Sequence, residues 1–233
     1  MPRASTDRSI AIAILAKAPI PGLTKTRLIP YLGAAGASAL QAWLLRRTVA
    51  TALEAKLGPV TLWCAPDTTH PDFIDLAAGG QFTLRQQTDG DLGERMHQAL
   101  AESQAPAGTL VIGTDCPALD PTHLQQAAAA LATHQAVVTS AEDGGYVLIG
   151  MRRADARVFD GVAWGSERVM AQTRERLRQI GWLWKEFEPL WDVDRNEDFK
   201  RLIIGFPEVQ GWLSSATTTF PADGETRDAK ASA

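Results

Sequence analysis

The sequence predicts an α/β protein built on a largely parallel sheet, and three observations predict it. Short apolar runs without polar alternation recur along the chain, as in strands buried on both faces. Stretches with apolar residues near helical spacing separate those runs. Gly and Pro clusters mark most of the boundaries. Strands alternating with helices in this way argue for βαβ units.

Residues 1–8 read as a polar, flexible start. Ser9 to Ala16 is rich in Ile and Ala and suits a strand in the middle of a sheet. A Lys/Pro/Gly loop follows, then a helix from about Ala34 to Lys56, with Leu40, Trp43, Leu44, Val49 and Leu53 near helical spacing and Gly58-Pro59 as its stop. Val60 to Cys64 is a second strand, Pro66 to Gly80 a loop with a short helix, and Gln81 to Gln86 a weaker strand. Asp91 is placed to cap a helix from Leu92 to Ser103. Thr109 to Gly113 is a strong strand, and Pro121 suits the first turn of a helix reaching about His134. Ala136 to Ser140 and Tyr146 to Gly150 flank the turn Asp143-Gly144-Gly145 as a hairpin-like pair. Glu167 to Gln179 is an Arg-rich amphipathic helix, Leu183 to Phe187 a strand, and Asn196 to Leu202 begins a last helical region. The polar, Thr/Ala-rich segment 214–233 is expected to be disordered. No linker divides two cores, so residues 9–213 read as one domain.

The 45% hydrophobic content among 233 residues is enough for a full core. A net charge of −4 supplies no basic field for nucleic acid, so any phosphate binding must come from local clusters. Cys64 and Cys116 end apolar runs and read as reduced, buried thiols. Ile10 to Ala16 is far short of the roughly 20 residues that span a bilayer, and it carries no convincing leader cleavage site. A cytoplasmic location without a membrane span is the expectation. The oligomeric state is not readable from the sequence.

Two loops carry the chemistry. The loop after the first strand gathers Lys17, Lys25 and Arg27, with Pro19, Pro21 and Gly22 stiffening and turning it. It is not a Walker A loop, since the Gly-x-x-x-x-Gly-Lys-Ser/Thr pattern is absent. Gly113-Thr114-Asp115 brings a carboxylate directly off a buried strand, where Mg2+ can take one or two protein oxygens. Ligands of parallel sheets bind outside the carboxyl ends of the strands, so both loops are expected at one edge. Asp192 and Asp194 follow the last strand and would offer a second metal carboxylate. Asp194 and Glu197 also have the spacing of a capping box, a purely structural role. Gly93 and Arg95 open a helix that could meet an anion, or simply start in solvent. Asp143, Gly144, Gly145 and Tyr146 would let an acceptor approach the backbone, while Asp-Gly is equally a hairpin turn signal. Trp164 reads as an acceptor platform or as a buried indole beside Ser166. The four histidines form no metal spacing, and no Ser-His-Asp or Cys-His pattern is present.

Taken in order, Lys17-Ala18-Pro19, Lys25-Thr26-Arg27-Leu28, Gly90 to Met96, Gly113 to Pro117, Asp143 to Tyr146, Trp164-Gly165-Ser166 and Asp192-Val193-Asp194 resemble the DUF2064 proteins, over about Ile10 to Leu202. These are GT-A-like, or nucleotide-diphospho-sugar transferase-like, proteins related in pattern to nucleotidyltransferases such as the phospholactate guanylyltransferases. The resemblance implies a GT-A-like three-layer α/β/α sandwich with a mostly parallel mixed sheet. It implies phosphate binding by Lys17, Lys25 and Arg27, and Mg2+ or Mn2+ held by Asp115 and Asp194, with Lys25 and Asp115 as the catalytic pair. Two departures stand out: a Pro-containing first loop replaces a Gly-rich one, and Arg195-Asn196 replaces Thr-Pro after the aspartate.

Three functions compete. A nucleotidyltransferase would pass a nucleotidyl group from a nucleoside triphosphate to a small phosphorylated or hydroxyl acceptor. A glycosyltransferase would use a nucleotide sugar and commonly carries Asp-x-Asp, where this chain has Thr114-Asp115-Cys116. A non-catalytic protein would bind nucleotide without turnover. The three-cation loop favours the first.

Overall fold

The computed structural model describes residues 8–103 and 105–219. Seven strands form one sheet: β1 (Ala11–Lys17), β2 (Val60–Ala65), β3 (Thr83–Gln86), β4 (Thr109–Ile112), β5 (Ala136–Ala141), β6 (Tyr146–Met151) and β7 (Trp184–Leu190). Their order across the sheet is β3-β2-β1-β4-β6-β5-β7. The β6 strand runs antiparallel to β4 and β5, and every other pair is parallel. The mixed, mostly parallel sheet is the expected one. β1 lies between β2 and β4, which explains why its sequence is apolar on both faces.

Among the described residues seven α-helices accompany the sheet: α1 (Ile29–Glu54), α2 (Pro71–Ala77), α3 (Leu92–Glu102), α4 (Pro121–Ala130), α5 (Val169–Gln179), α6 (Asn196–Gly205) and α7 (Glu208–Thr219). Alternate residues of β1 serve opposite faces. Ile12 and Ile14 pack with Leu45 and Val49 of α1, Phe73 of α2 and Leu124 of α4. Ala13 packs with Trp63, Met96 and Leu100 on the α3 side, in a cluster that includes Met170 and Leu177 of α5. The result is three layers. A third cluster joins Leu40 and Leu44 of α1 to Trp191, Val193, Leu202 of α6 and Val209 of α7.

Two expectations need correction. The first helix begins at Ile29, ahead of the expected Ala34, because Pro30 suits a first turn and a kink at Gly33 joins that turn to the main body. Its span Thr26–Glu54 is long and apolar enough to cross a bilayer by composition, yet 61% of its most apolar stretch is buried inside the protein, as befits a core helix. The tail expected to be disordered from residue 214 is helical to Thr219. Val209 is fully buried, and the Trp212 indole N–H donates to the Ala39 carbonyl at 2.8 Å, so this helix docks on α1. Residues 1–7 and 220–233, where the remaining end-segment expectations fall, lie outside the described residues.

One histidine links helix to sheet. Asp120 caps α4 by accepting from the His123 backbone N–H at 2.7 Å. The His123 Nε2 sits 2.7 Å from the Thr139 hydroxyl of β5, and its ring lies 5.2 Å from that of Phe187. Burial lowers the pKa of this imidazole below its ordinary value, with nearby Asp120 acting in the opposite direction. The folded protein therefore resists protonating a group that the unfolded chain protonates at about pH 6.5. Stability is unaffected by His123 above that pH and falls as pH drops below it. Urea titrations at about pH 7.5 and pH 5.5 should show the wild type losing more stability on acidification than His123→Gln. Equal losses would exclude this histidine.

Candidate active site

The carboxyl ends of β1 and β4 and the segment after β7 meet in one cleft of about 540 Å3. The first wall is the loop after β1. Leu23 N–H and the Thr24 hydroxyl both bond the Ile20 carbonyl, and Ser38 of α1 donates to the Pro19 carbonyl. These contacts fold the loop back on itself and aim Lys25 inward. Lys25 has φ 48, a left-handed backbone rare for a side-chain-bearing residue and held only when its surroundings enforce it.

The second wall is the turn after β4. Gln41 of α1 donates to the Thr114 hydroxyl at 3.1 Å, fixing the turn that presents Asp115. The third is the segment after β7. Val193 N–H donates to the Asp115 carbonyl at 2.8 Å, stitching the two acidic segments together.

The result is a compact charge cluster. The Lys25 ammonium lies 2.7 Å from Asp115 Oδ1 and 3.3 Å from Asp194 Oδ1, and it donates to the Val193 carbonyl at 2.6 Å. Its side chain is only 4% exposed. Burial, the largest single influence, works to lower its pKa, but the combined charges and hydrogen bonds of Asp115 and Asp194 outweigh it and hold the pKa above the ordinary lysine value. Arg27 Nη1 reaches Asp194 Oδ2 at 3.3 Å from an exposed position. Burial, then the charges of Asp143, Asp194 and Asp115, push the Asp192 carboxyl up to about 6. The helix-capping alternative for Asp194 does not hold. Asp198 Oδ2 accepts from the Asp194 and Arg195 backbone N–H groups, so it caps α6 and leaves the Asp194 carboxylate to Lys25 and Arg27.

Lys17, Arg95 and Tyr146 line the same cleft as Lys25, Arg27, Asp115, Asp192 and Asp194. The Arg95 Nε is buried and has no hydrogen-bond partner among the described residues. Gly93, Asp143, Gly144, Gly145 and Trp164, the other residues proposed from sequence, do not line it. Gly93 lets α3 lie against Trp164, whose Cζ2 would sit 2.7 Å from an added Cβ. Asp143 accepts from its own turn, at Gly145 N–H, 2.9 Å away. Gly144 abuts the backbone of Glu167. These glycines make room for protein neighbours.

Sequence reasoning missed two glutamines. Gln41 sets the Asp115 turn, and Gln87 donates to the Ala16 and Trp63 carbonyls at the ends of β1 and β2. A polar residue directly after β3 was the available signal for Gln87; nothing in the sequence marks Gln41. Both cysteines are free and buried as expected, and burial pushes each thiol up to about 12.

The model of the family described as uncharacterized protein conserved in bacteria (DUF2064) matches residues 48–166. A solved structure from Desulfovibrio desulfuricans G20, provisionally named a nucleotide-diphospho-sugar transferase, is similar at 25% identity and TM-score 0.75, covering 90% of this chain and 98% of that one. A cytidylyltransferase from Leptospira borgpetersenii serovar Hardjo-bovis is similar at 14% identity and TM-score 0.58, covering 91% of this chain and 93% of the other. A 4-diphosphocytidyl-2C-methyl-D-erythritol synthase from Anaerococcus prevotii is similar at 14% identity and TM-score 0.56, covering 86% and 100%. At 14% identity these last two show the fold alone. No curated protein gives a match by sequence. The architecture is GT-A-like, as the family resemblance of its motifs implies.

Proposed function

We propose that this chain, which belongs to the DUF2064 family, is a metal-dependent nucleotidyltransferase of the cytoplasm. It passes a nucleotidyl group from a nucleoside triphosphate to a small phosphorylated or hydroxyl acceptor. The acceptor oxygen forms a bond to the α-phosphorus as the bond to the departing pyrophosphate breaks. One observation carries the reading: Lys25, Arg27, Asp115 and Asp194 come together at the carboxyl edge of the sheet, cations against carboxylates in a single cleft.

The donor set suits a divalent ion. Asp115 and Asp194 are hard oxygen donors with side chains 47% and 37% exposed toward solvent. Among the described residues no three His, Cys, Asp or Glu side chains form a closed metal set. Mg2+ commonly takes one or two carboxylates and completes its shell with water and substrate phosphates. When bound there, Mg2+ or Mn2+ would neutralise charge on the phosphates.

The chain's own residues supply positioning and charge. Lys17 and Arg27 are exposed at the cleft and suited to phosphate oxygens. Arg95 lines the α3 wall of the cleft, its Nε–H unpartnered among the described residues. Tyr146 lines the cleft; burial keeps its phenol well above the ordinary pKa, the neighbouring Thr173 hydroxyl offsetting this only in part, so the group stays neutral. No protein nucleophile is required.

The name of the Desulfovibrio relative favours a second reading, glycosyl transfer from a nucleotide sugar. One assay separates them. The protein is incubated with each nucleoside triphosphate, or with nucleotide sugars, plus Mg2+ and a panel of phosphorylated and hydroxyl acceptors. Acceptor-dependent pyrophosphate release is the expected result. Nucleoside diphosphate release from a nucleotide sugar would replace it with the second reading, and binding without either product would leave a non-catalytic protein.

A further inference from the structure

We propose that Lys25 is a placeholder cation for the Asp115–Asp194 pair, and that a divalent ion gains those carboxylates only when a ligand phosphate draws the ammonium away. The identity of that ligand rests on the nucleotidyl-transfer reading. An ammonium has three N–H donors. Lys25 has three acceptors, at 2.6 Å (Val193 O), 2.7 Å (Asp115 Oδ1) and 3.3 Å (Asp194 Oδ1). Every donor is spent inside the protein, so Lys25 can meet a phosphate oxygen only by giving up one of these partners.

Position makes the exchange competitive. The ammonium sits against one oxygen of each carboxylate that would hold the ion, and two cations packed together in a half-desolvated site repel. The backbone adds a reason for release. Lys25 is held in the left-handed region by the contacts of its side chain and loop. Arg27, two residues on and exposed, marks the direction in which phosphates would attract the loop. The consequence is ordered loading: phosphates precede the ion or arrive with it, and each strengthens the other's binding reciprocally.

The test measures Mn2+ binding without nucleotide or acceptor, by the loss of the free-ion spectrum, on the full chain. Lys25→Met keeps most of the side-chain stem and removes the charge. It should bind Mn2+ alone roughly tenfold or more tightly than the wild type, the size of a typical coupling between sites. Adding Asp115→Asn to that variant should abolish the gain. Equal or weaker Mn2+ binding by Lys25→Met overturns the proposal, and so does a gain that survives Asp115→Asn. Should Lys25→Met fail to fold, melting of the wild type decides. Mn2+ alone should leave the midpoint unchanged, whereas Mn2+ with pyrophosphate should raise it beyond pyrophosphate alone. A rise with Mn2+ alone that Asp115→Asn removes, or no added rise with both, overturns it. No transfer occurs in these titrations, so a failed activity assay and a failed placeholder role are separate results.

Discussion

Asp115→Asn is expected to lower turnover by about 10²–10³-fold while shifting the melting midpoint by only a few degrees. The substitution keeps the shape of the side chain and removes its charge. Lys25 keeps the Val193 carbonyl and Asp194 as partners, so its ammonium is not stranded. The Asp115 carboxylate is about half exposed, and the amide oxygen of Asn can still accept from the buried ammonium, so little packing or pairing is lost. Its chemical role has no such substitute, because Mg2+ is bound through one or two carboxylates and a neutral amide oxygen lacks their charge. Pyrophosphate release and thermal melting measured on the same preparation check both halves. Near-normal turnover would remove Asp115 from the chemistry.

Gly144→Ala is expected to cost about 2–4 kcal/mol of stability, the sum of a backbone and a packing penalty. Gly144 has φ 94, and an added Cβ would fall 2.4 Å from the Glu167 carbonyl oxygen and 2.7 Å from its Cα. The neighbours are main-chain atoms that no rotamer change can move aside. The Gly144 carbonyl also accepts from Met170 N–H at 2.9 Å, so the β5–β6 turn is clamped to the start of α5. Urea denaturation measures the loss. Unchanged stability with a raised KM for the acceptor would instead make Gly144 a binding residue.

These two positions show what the sequence made legible. The apolar runs of β1, β2 and β4 announced a buried parallel sheet because burial on both faces leaves no polar alternation to misread. The Asp-Gly-Gly turn announced the β5–β6 pair. Nothing local announced that β6 would enter between β4 and β5, since strand order is set by long-range register. α7 was hidden because its anchors Val209, Trp212 and Leu213 lie just ahead of a Thr/Ala-rich stretch, and docking supplies what composition withholds.

The site follows the same division. Lys25, Asp115 and Asp194 were legible because each lies in the loop that follows a strand of one sheet, and topology brings such loops to one edge. That Lys25 would spend all three donors on the protein was not legible, since a long flexible side chain has many reachable partners. Gly93 and Gly144 looked suited to a ligand because a missing Cβ admits close approach. It admits a protein neighbour equally well, and only packing tells the two apart.

The C-terminal helices have a bearing on the charge cluster although neither contributes a side chain to it. Leu28, next to Arg27, and Val193, next to Asp194, are both seated in the cluster that α1, α6 and α7 enclose. The cationic hook and the acidic segment thus hang from a common apolar anchor, and the Val193–Asp115 bond carries that anchorage on to the third charged group. Loosening these helices would blur the spacing of the charges, so this segment acts as the mounting that keeps the cleft in focus.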